Sequence, residues 1–161
     1  MVDAGRRGFL RGRSRPADAV RPPWALAEPE FLAACSRCGD CLPACPPGIL
    51  VAADGGYPAV DFHRGECTFC RACNDACPTP ALARPDEEAP WFLTLTLGEA
   101  CLPRQGIECR ACADYCPENA LRFRPRQGGP ALPEVDSGAC TGCGACVGPC
   151  PANAILLKKT A

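Results

Sequence analysis

The stretch Cys35-Ser36-Arg37-Cys38-Gly39-Asp40-Cys41-Leu42-Pro43-Ala44-Cys45-Pro46 decides how the rest of the chain is read. Three cysteines spaced by two residues must curl around one compact object. A fourth follows after three more residues, and a proline then turns the chain away. The spacing returns at Cys67, Cys70, Cys73, Cys77 and Pro78, and again at Cys140, Cys143, Cys146, Cys150 and Pro151. Another set, Cys101, Cys109, Cys112, Cys116 and Pro117, keeps the ending but places seven residues between its first two cysteines. The first cysteines of sets one, two and three lie 32 and 34 residues apart, and Cys109 precedes Cys140 by 31. One unit of about 32 residues therefore recurs four times, and a period of that kind is read before any secondary structure.

The chemistry follows from the spacing. A four-iron cube offers three corners to a loop of this kind, and the fourth thiolate comes from the companion motif, as in two-cluster ferredoxins. Disulfides fit less well, because cysteines two residues apart cannot pair freely within one loop. Structural zinc prefers pairs of cysteines separated by a longer stretch, and triplets would leave a surplus thiol at each site. All sixteen cysteines are therefore metal-ligand candidates for [4Fe–4S] clusters, three at the regular sets and a fourth at Cys101, Cys109, Cys112 and Cys116. There, residues 102–108 either loop out of an intact site or mark a degraded one holding a labile cluster, a three-iron cluster or none. Sequential pairing, one with two and three with four, is favoured over a nested arrangement of one with four and two with three.

Composition points the same way. Cysteine is about a tenth of the 161 residues, a level that signals a disulfide scaffold or a metal protein. Aromatics are only 6%, so a purely apolar core would be thin, and metal binding must contribute to folding. Residues 1–23 carry six arginines against Asp3 and Asp18, a charge of +4, while the remainder carries −5. An acidic body argues against nucleic acid. No run of eighteen apolar residues exists, and the most apolar stretch, Trp91 to Leu97, is too short to span a membrane.

Between the cysteine sets, apolar runs flank glycine-rich turns. Ile49 to Ala53, Asp54-Gly55-Gly56 and Ala59 to Phe62 predict one hairpin. Leu121 to Phe123, Gln127 to Pro130 and Glu134 to Asp136 predict a second. Ala154 to Leu157 predicts a closing strand, Trp24 to Ala34 holds a short helix, and each Cys-Pro is expected to open a helical turn. The fold class is α+β: small ferredoxin-like (βαββαβ-type) units, two in tandem, organised around iron–sulfur clusters. The expected boundaries are a flexible basic arm over 1–23, a unit over 24–88 with sets one and two, and a unit over 89–161 with sets three and four.

The remaining residues carry less chemistry. Arg6-Arg7-Gly8-Phe9-Leu10-Arg11-Gly12 looks like the core of a twin-arginine export signal. Arg13, Ser14, Arg15 and Pro16 stand where a signal needs apolar residues, so export is not expected and a cytoplasmic location is. His63, the only histidine, reads as a surface residue, and Trp91 and Phe92 as core packing. No nucleophile elbow, phosphate loop or supported carboxylate pair is present, so the chain is read as an electron-transfer or accessory protein, not an enzyme.

The RRGFLRG start, a tryptophan-containing linker and four cysteine sets with an elongated third resemble the NapF family. These are ferredoxin-type accessory proteins of the periplasmic nitrate reductase system. The resemblance implies an unexported cytoplasmic protein that takes part in maturation of the catalytic molybdenum subunit, its partner, by installing or reducing that subunit's own [4Fe–4S] centre before export. A plain electron carrier and an electron-transfer subunit of a larger oxidoreductase are the alternatives.

Overall fold

The computed structural model describes residues 19–83 and 89–159. Its regular elements are short, because cysteines, prolines and glycines interrupt every run. Helix α1, Glu28–Ala34, lies inside the predicted Trp24–Ala34 segment, with Pro29 in its first turn and Phe31 fully buried. Strands β1, Leu50–Ala52, and β2, Pro58–Val60, pair antiparallel across a turn at Asp54–Gly56, where Gly55 takes φ of 73°. Helix α2, Ala72–Asp75, is a single turn within set two, and α3, Ala111–Asp114, is its counterpart in set three. Strand β3, Leu93–Leu97, runs antiparallel to β6, Ile155–Lys159, while β4, Leu121–Arg126, and β5, Gly129–Val135, form the second hairpin. Both predicted hairpins and the closing strand are present.

The regular βαββαβ unit is met only in part. In the second half the order is β3, α3, β4, β5 and β6, with the outer strands paired and the inner two forming a hairpin. In the first half, β1 and β2 pair only with each other among the described residues. Single backbone bonds hold the flanking chain there. Val60 donates its N–H to Val20 O at 2.8 Å, and Leu26 donates to Ala81 O at 3.0 Å. Pro22, Pro23 and Pro80 remove the donors a longer ladder would need.

The helical turns also sit elsewhere than expected. They lie between the third and fourth cysteines of each set, before the Cys-Pro step. Cys45, Cys77, Cys116 and Cys150 each donate to the carbonyl three residues earlier, at 3.0–3.3 Å. The cause is steric: a residue before proline is pushed out of the α region, so the turn ends there. After the proline comes a tight turn, in which Gly48, Asn119 and Asn153 donate to the carbonyls of Cys45, Cys116 and Cys150 at 2.9–3.2 Å. All three residues are left-handed, with φ of 68°, 50° and 47°.

The arm boundary differs as well. Residues 1–18 lie outside the described residues, but Val20 to Pro23 are buried. Arg21, counted with the arm, is 5% exposed. It donates to Glu28 Oε1 at 2.7 Å and to Pro58 O at 3.1 Å, and lies over the rings of Phe31 and Tyr57. Glu28 also accepts from Lys159 of β6, so one carboxylate joins α1 to the last strand. Its pKa is lowered: burial alone would raise it, but the bonds from Arg21 and Lys159 outweigh that.

Two apolar clusters result. One, around Phe31, Leu50, Ala81 and Leu82, contains Cys41 and Cys73. The other, around Phe62, Trp91, Leu121 and Ile155, contains Cys146 and draws from both halves. Trp91 is buried as expected, whereas Phe92 is 56% exposed, because alternation along the strand entering β3 points it the other way. His63 is exposed. Among the described residues, no helix is long and apolar enough to cross a membrane.

Candidate metal centres

The backbone of the three regular sets explains how they curl. The residues on either side of the middle cysteine are left-handed: Arg37 and Gly39 around Cys38, Phe69 and Arg71 around Cys70, Gly142 and Gly144 around Cys143. Their φ values run from 54° to 84°. Such reversals turn successive N–H groups inward as a nest, an arrangement suited to anionic iron–sulfur groups. Non-glycine residues in this region cost roughly 1–2 kcal/mol each, so Arg37, Phe69 and Arg71 persist because something holds the loop. Set three lacks the device: Arg110, next to Cys109, has φ of −137°.

Fifteen of the sixteen thiols gather in groups that draw on companion sets. Cys41 lies near Cys73 and also near Cys77 and Cys35, and Cys38 belongs to the same loop as Cys35 and Cys41. Cys73 faces Cys67, Cys45 and Cys70, and these four line a recess of about 320 Å³, open to solvent, with Ile49 and Leu50. Cys112 faces Cys101, Cys150 and Cys109. Cys116, Cys140, Cys143 and Cys146 line a second recess of about 340 Å³. Each group takes three thiols from one set and the fourth from its sequential companion, which is the pairing expected over the nested one. Within each half the two groups adjoin, Cys41 lying near Cys73 and Cys146 near Cys112.

The irregular set is brought together like the others. Leu102–Gln105 forms one 3-10 turn that leaves and returns, with Gly106 left-handed at its end, so that buried Cys101 comes to face Cys150 and Cys109. The seven residues between Cys101 and Cys109, five more than in a regular set, are looped out and the fourth thiol is not lost.

The donor set fits a cluster. Among the described residues no three cysteine, histidine or carboxylate groups converge as tightly as a single metal ion requires, and the thiols stand around recesses with space between them. Burial pushes the thiols of Cys41, Cys67, Cys73 and Cys112 up to about 11 and that of Cys146 up to about 12, with neighbouring thiols adding to the rise. Crowding buried thiols in this way is unfavourable for thiolates unless a cation compensates them. Backbone donors supply part of the compensation. Phe69 N–H points at Cys67 Sγ at 3.4 Å, and Ala120 and Ala154 N–H point at Cys116 and Cys150 Sγ at 3.3 Å. The Ala72 N–H holds the Cys70 thiol below its ordinary value.

The sequence favours Trp91 as core packing over a place on an electron path. Its ring makes edge contacts with Phe62 and with Phe69 of set two, both at 5.7 Å, and its Nε1–H donates to Thr141 O of set four at 3.1 Å. Its position just before β3 carried no signal of this. The left-handed pairs were partly visible, as Gly39, Gly142 and Gly144, but not at Arg37, Phe69 or Arg71.

Residues 34–82 and 107–154 each match the family described as a 4Fe–4S dicluster domain. The second match begins after Cys101, so the thiol beyond the looped turn is the departure from that pattern. The chain is 47% identical over 158 residues to the ferredoxin-type protein NapF of Escherichia coli K12, covering 98% of this chain and 96% of that one. It is 45% identical to NapF of Haemophilus influenzae, over 95% and 93% of the two chains. It is also 38% identical to the methylamine utilization ferredoxin-type protein MauM of Paracoccus denitrificans, over 83% of this chain and 67% of that one. No solved structure matches it. With two tandem 4Fe–4S dicluster domains and relatives of this closeness along its length, the chain belongs to the NapF family of ferredoxin-type iron–sulfur proteins.

Proposed function

We propose that the chain holds four [4Fe–4S] clusters and acts in the cytoplasm as an accessory factor in maturation of the catalytic molybdenum subunit of periplasmic nitrate reductase, before that subunit is exported. Identity of 47% over 98% of the chain to a NapF protein carries the reading. The ligands assigned are Cys35, Cys38, Cys41 and Cys77; Cys67, Cys70, Cys73 and Cys45; Cys101, Cys109, Cys112 and Cys150; and Cys140, Cys143, Cys146 and Cys116. When bound, such clusters supply one-electron transfer. The protein's part is to hold thiolates apart at fixed positions, direct N–H groups at Cys67, Cys116 and Cys150, and keep water from the buried sulfurs. The cytoplasmic part of the reading is supported by Arg13, Ser14, Arg15 and Pro16, which stand where an export signal needs apolar residues.

A plain electron carrier is the second reading, favoured by the adjoining of thiol groups within each half. Iron and acid-labile sulfide on anaerobically purified protein test both. About sixteen of each per chain, unmoved by a chelator, fit a carrier with fixed clusters. About sixteen that are rapidly lost and can be restored fit a maturation factor. A pull-down with the metal-free catalytic subunit separates the two roles. Binding that weakens on deletion of residues 1–18 supports maturation, and absence of binding removes it. Zinc without sulfide removes both.

A further inference from the structure

The two dicluster halves meet at one place that joins their ligand sets directly. The backbone N–H of Cys67, in set two, donates to Cys143 O, in set four, at 2.8 Å. The Cys67 thiol also lies close enough to Cys143 for their charges to interact. Trp91 wedges the same junction, its ring against Phe69 between Cys67 and Cys70 and its Nε1–H on Thr141 O between Cys140 and Cys143. The space there is tight: a Cβ on Gly142 would come within 2.9 Å of Trp91 Nε1, and one on Gly144 within 2.0 Å of Phe62. Within each half the contacts run from set one to set two, through Cys41 and Cys73, and from set four to set three, through Cys146 and Cys112.

We propose that the ligand sets form a linear electron path in the spatial order one, two, four, three, with the Cys67–Cys143 contact as the crossing between the ligand sets of the two halves and Trp91 as the residue that positions it. The order differs from the order in sequence, and it makes the sets around Cys38 and Cys109 the two ends. The inference rests on the cluster reading above. The crossing is an outer-sphere exchange: the set-two centre is oxidised by one electron, the set-four centre is reduced by the same one, and no bond or proton moves. Trp91 acts by holding Phe69 and Thr141 at a fixed separation.

Two four-fold variants of the full chain test the order. Cys35→Ala, Cys38→Ala, Cys101→Ala and Cys109→Ala together empty the proposed ends. Cys67→Ala, Cys70→Ala, Cys140→Ala and Cys143→Ala empty the proposed middle. Each is loaded anaerobically to about eight iron and eight sulfide, reduced with dithionite, and examined by electron paramagnetic resonance. The end-emptied variant is expected to show split, broadened signals from two interacting spins. The middle-emptied variant is expected to show two unsplit signals that simply add. Trp91→Ala in the end-emptied background is expected to lose the splitting, and Trp91→Phe, which keeps the ring contacts, to retain most of it. Splitting in the middle-emptied variant, or in neither, overturns the order while the iron and sulfide content leaves the cluster reading standing. Iron without sulfide overturns both. Should the variants hold fewer clusters, hydrogen exchange on the loaded wild-type chain decides: the Cys67 amide is expected to be protected and to lose protection at least ten-fold in Trp91→Ala. An unprotected Cys67 amide in wild type overturns the junction.

Discussion

Gly144 and Gly39 share a left-handed backbone, with φ of 84° at both, but not a neighbourhood. A Cβ on Gly39 meets nothing within 4 Å, whereas one on Gly144 would come within 2.0 Å of the Phe62 ring. Gly39→Ala is therefore expected to cost only the backbone strain, about 1 kcal/mol, and Gly144→Ala on the order of 3 kcal/mol more, read as the difference between two melting curves of the loaded protein. Arg21 is the second residue of this kind. Arg21→Ala leaves Glu28 part-buried with Lys159 alone and strips Pro58 O of its donor. A loss of about 2–3 kcal/mol in chemical denaturation is expected, and Arg21→Lys should not restore it, because an ammonium cannot reproduce the fork. None of this was legible in sequence. Arg21 stands in a run of arginines, and only its docking against Phe31 and Tyr57 separates it from them. The cysteines, by contrast, stand out in the sequence as candidate ligands, because iron–sulfur spacing is set by the size of the object they surround.

Among elements, the tight turn after each Cys-Pro is the piece that repeats most faithfully outside the ligand loops. Asn119 and Asn153 occupy its left-handed position, where asparagine is tolerated and alanine is not. Asn119→Ala and Asn153→Ala are each expected to lower stability by about 1 kcal/mol, and the glycine variants to be neutral within a few tenths, as measured by denaturant midpoints. Set two has Pro80 at this place and a 3-10 turn at Pro80–Leu82 instead, so Pro80→Asn is not expected to reproduce the others. The hairpins were readable because Asp54-Gly55-Gly56 and Gln127-Gly128-Gly129 announce reversals between apolar runs. Strand β3 was not placed opposite β6, since nothing local to Leu93–Leu97 names a partner 60 residues away. The helical turns were misplaced by three or four residues because proline was read as opening a turn, when its clash with the preceding residue ends one.

For the molecule as a whole, metal and fold are coupled. The apolar clusters are small and contain Cys41, Cys73 and Cys146 as members, so withdrawing metal leaves buried thiols where packing needs fixed loops. Anaerobic chelation is expected to abolish the cooperative thermal transition, followed by circular dichroism. The raised thiol pKa values give this a pH dependence. With Cys41, Cys67, Cys73 and Cys112 up to about 11, the neutral thiol is favoured throughout the physiological range, and protons compete with iron. Iron release to a chelator is therefore expected to quicken as pH falls from 9 to 6 and to slow as it rises. At this scale the sequence announced four repeats and their tandem grouping. It did not disclose which loops of the two halves would touch, because that depends on Trp91, Phe62 and Phe69 meeting across long separations.

The exchange of the fourth thiol between companion sets also dictates a timetable. On the ligand groups proposed above, the first half is not complete until Cys77 has been synthesised: Cys73 completes the group with Cys45, Cys67 and Cys70, and Cys77 then closes the group of Cys35, Cys38 and Cys41. Both sites of the second half wait likewise, one for Cys146 and the other for Cys150. Cys77 and Cys150 are 73 residues apart, a gap of roughly 4–15 s at ordinary bacterial translation rates. A growing chain thus passes through a stage in which its first half can be loaded and its second cannot. On the proposed four-cluster reading, machinery that delivers iron and sulfide would meet the two halves in succession, as two clients on one thread.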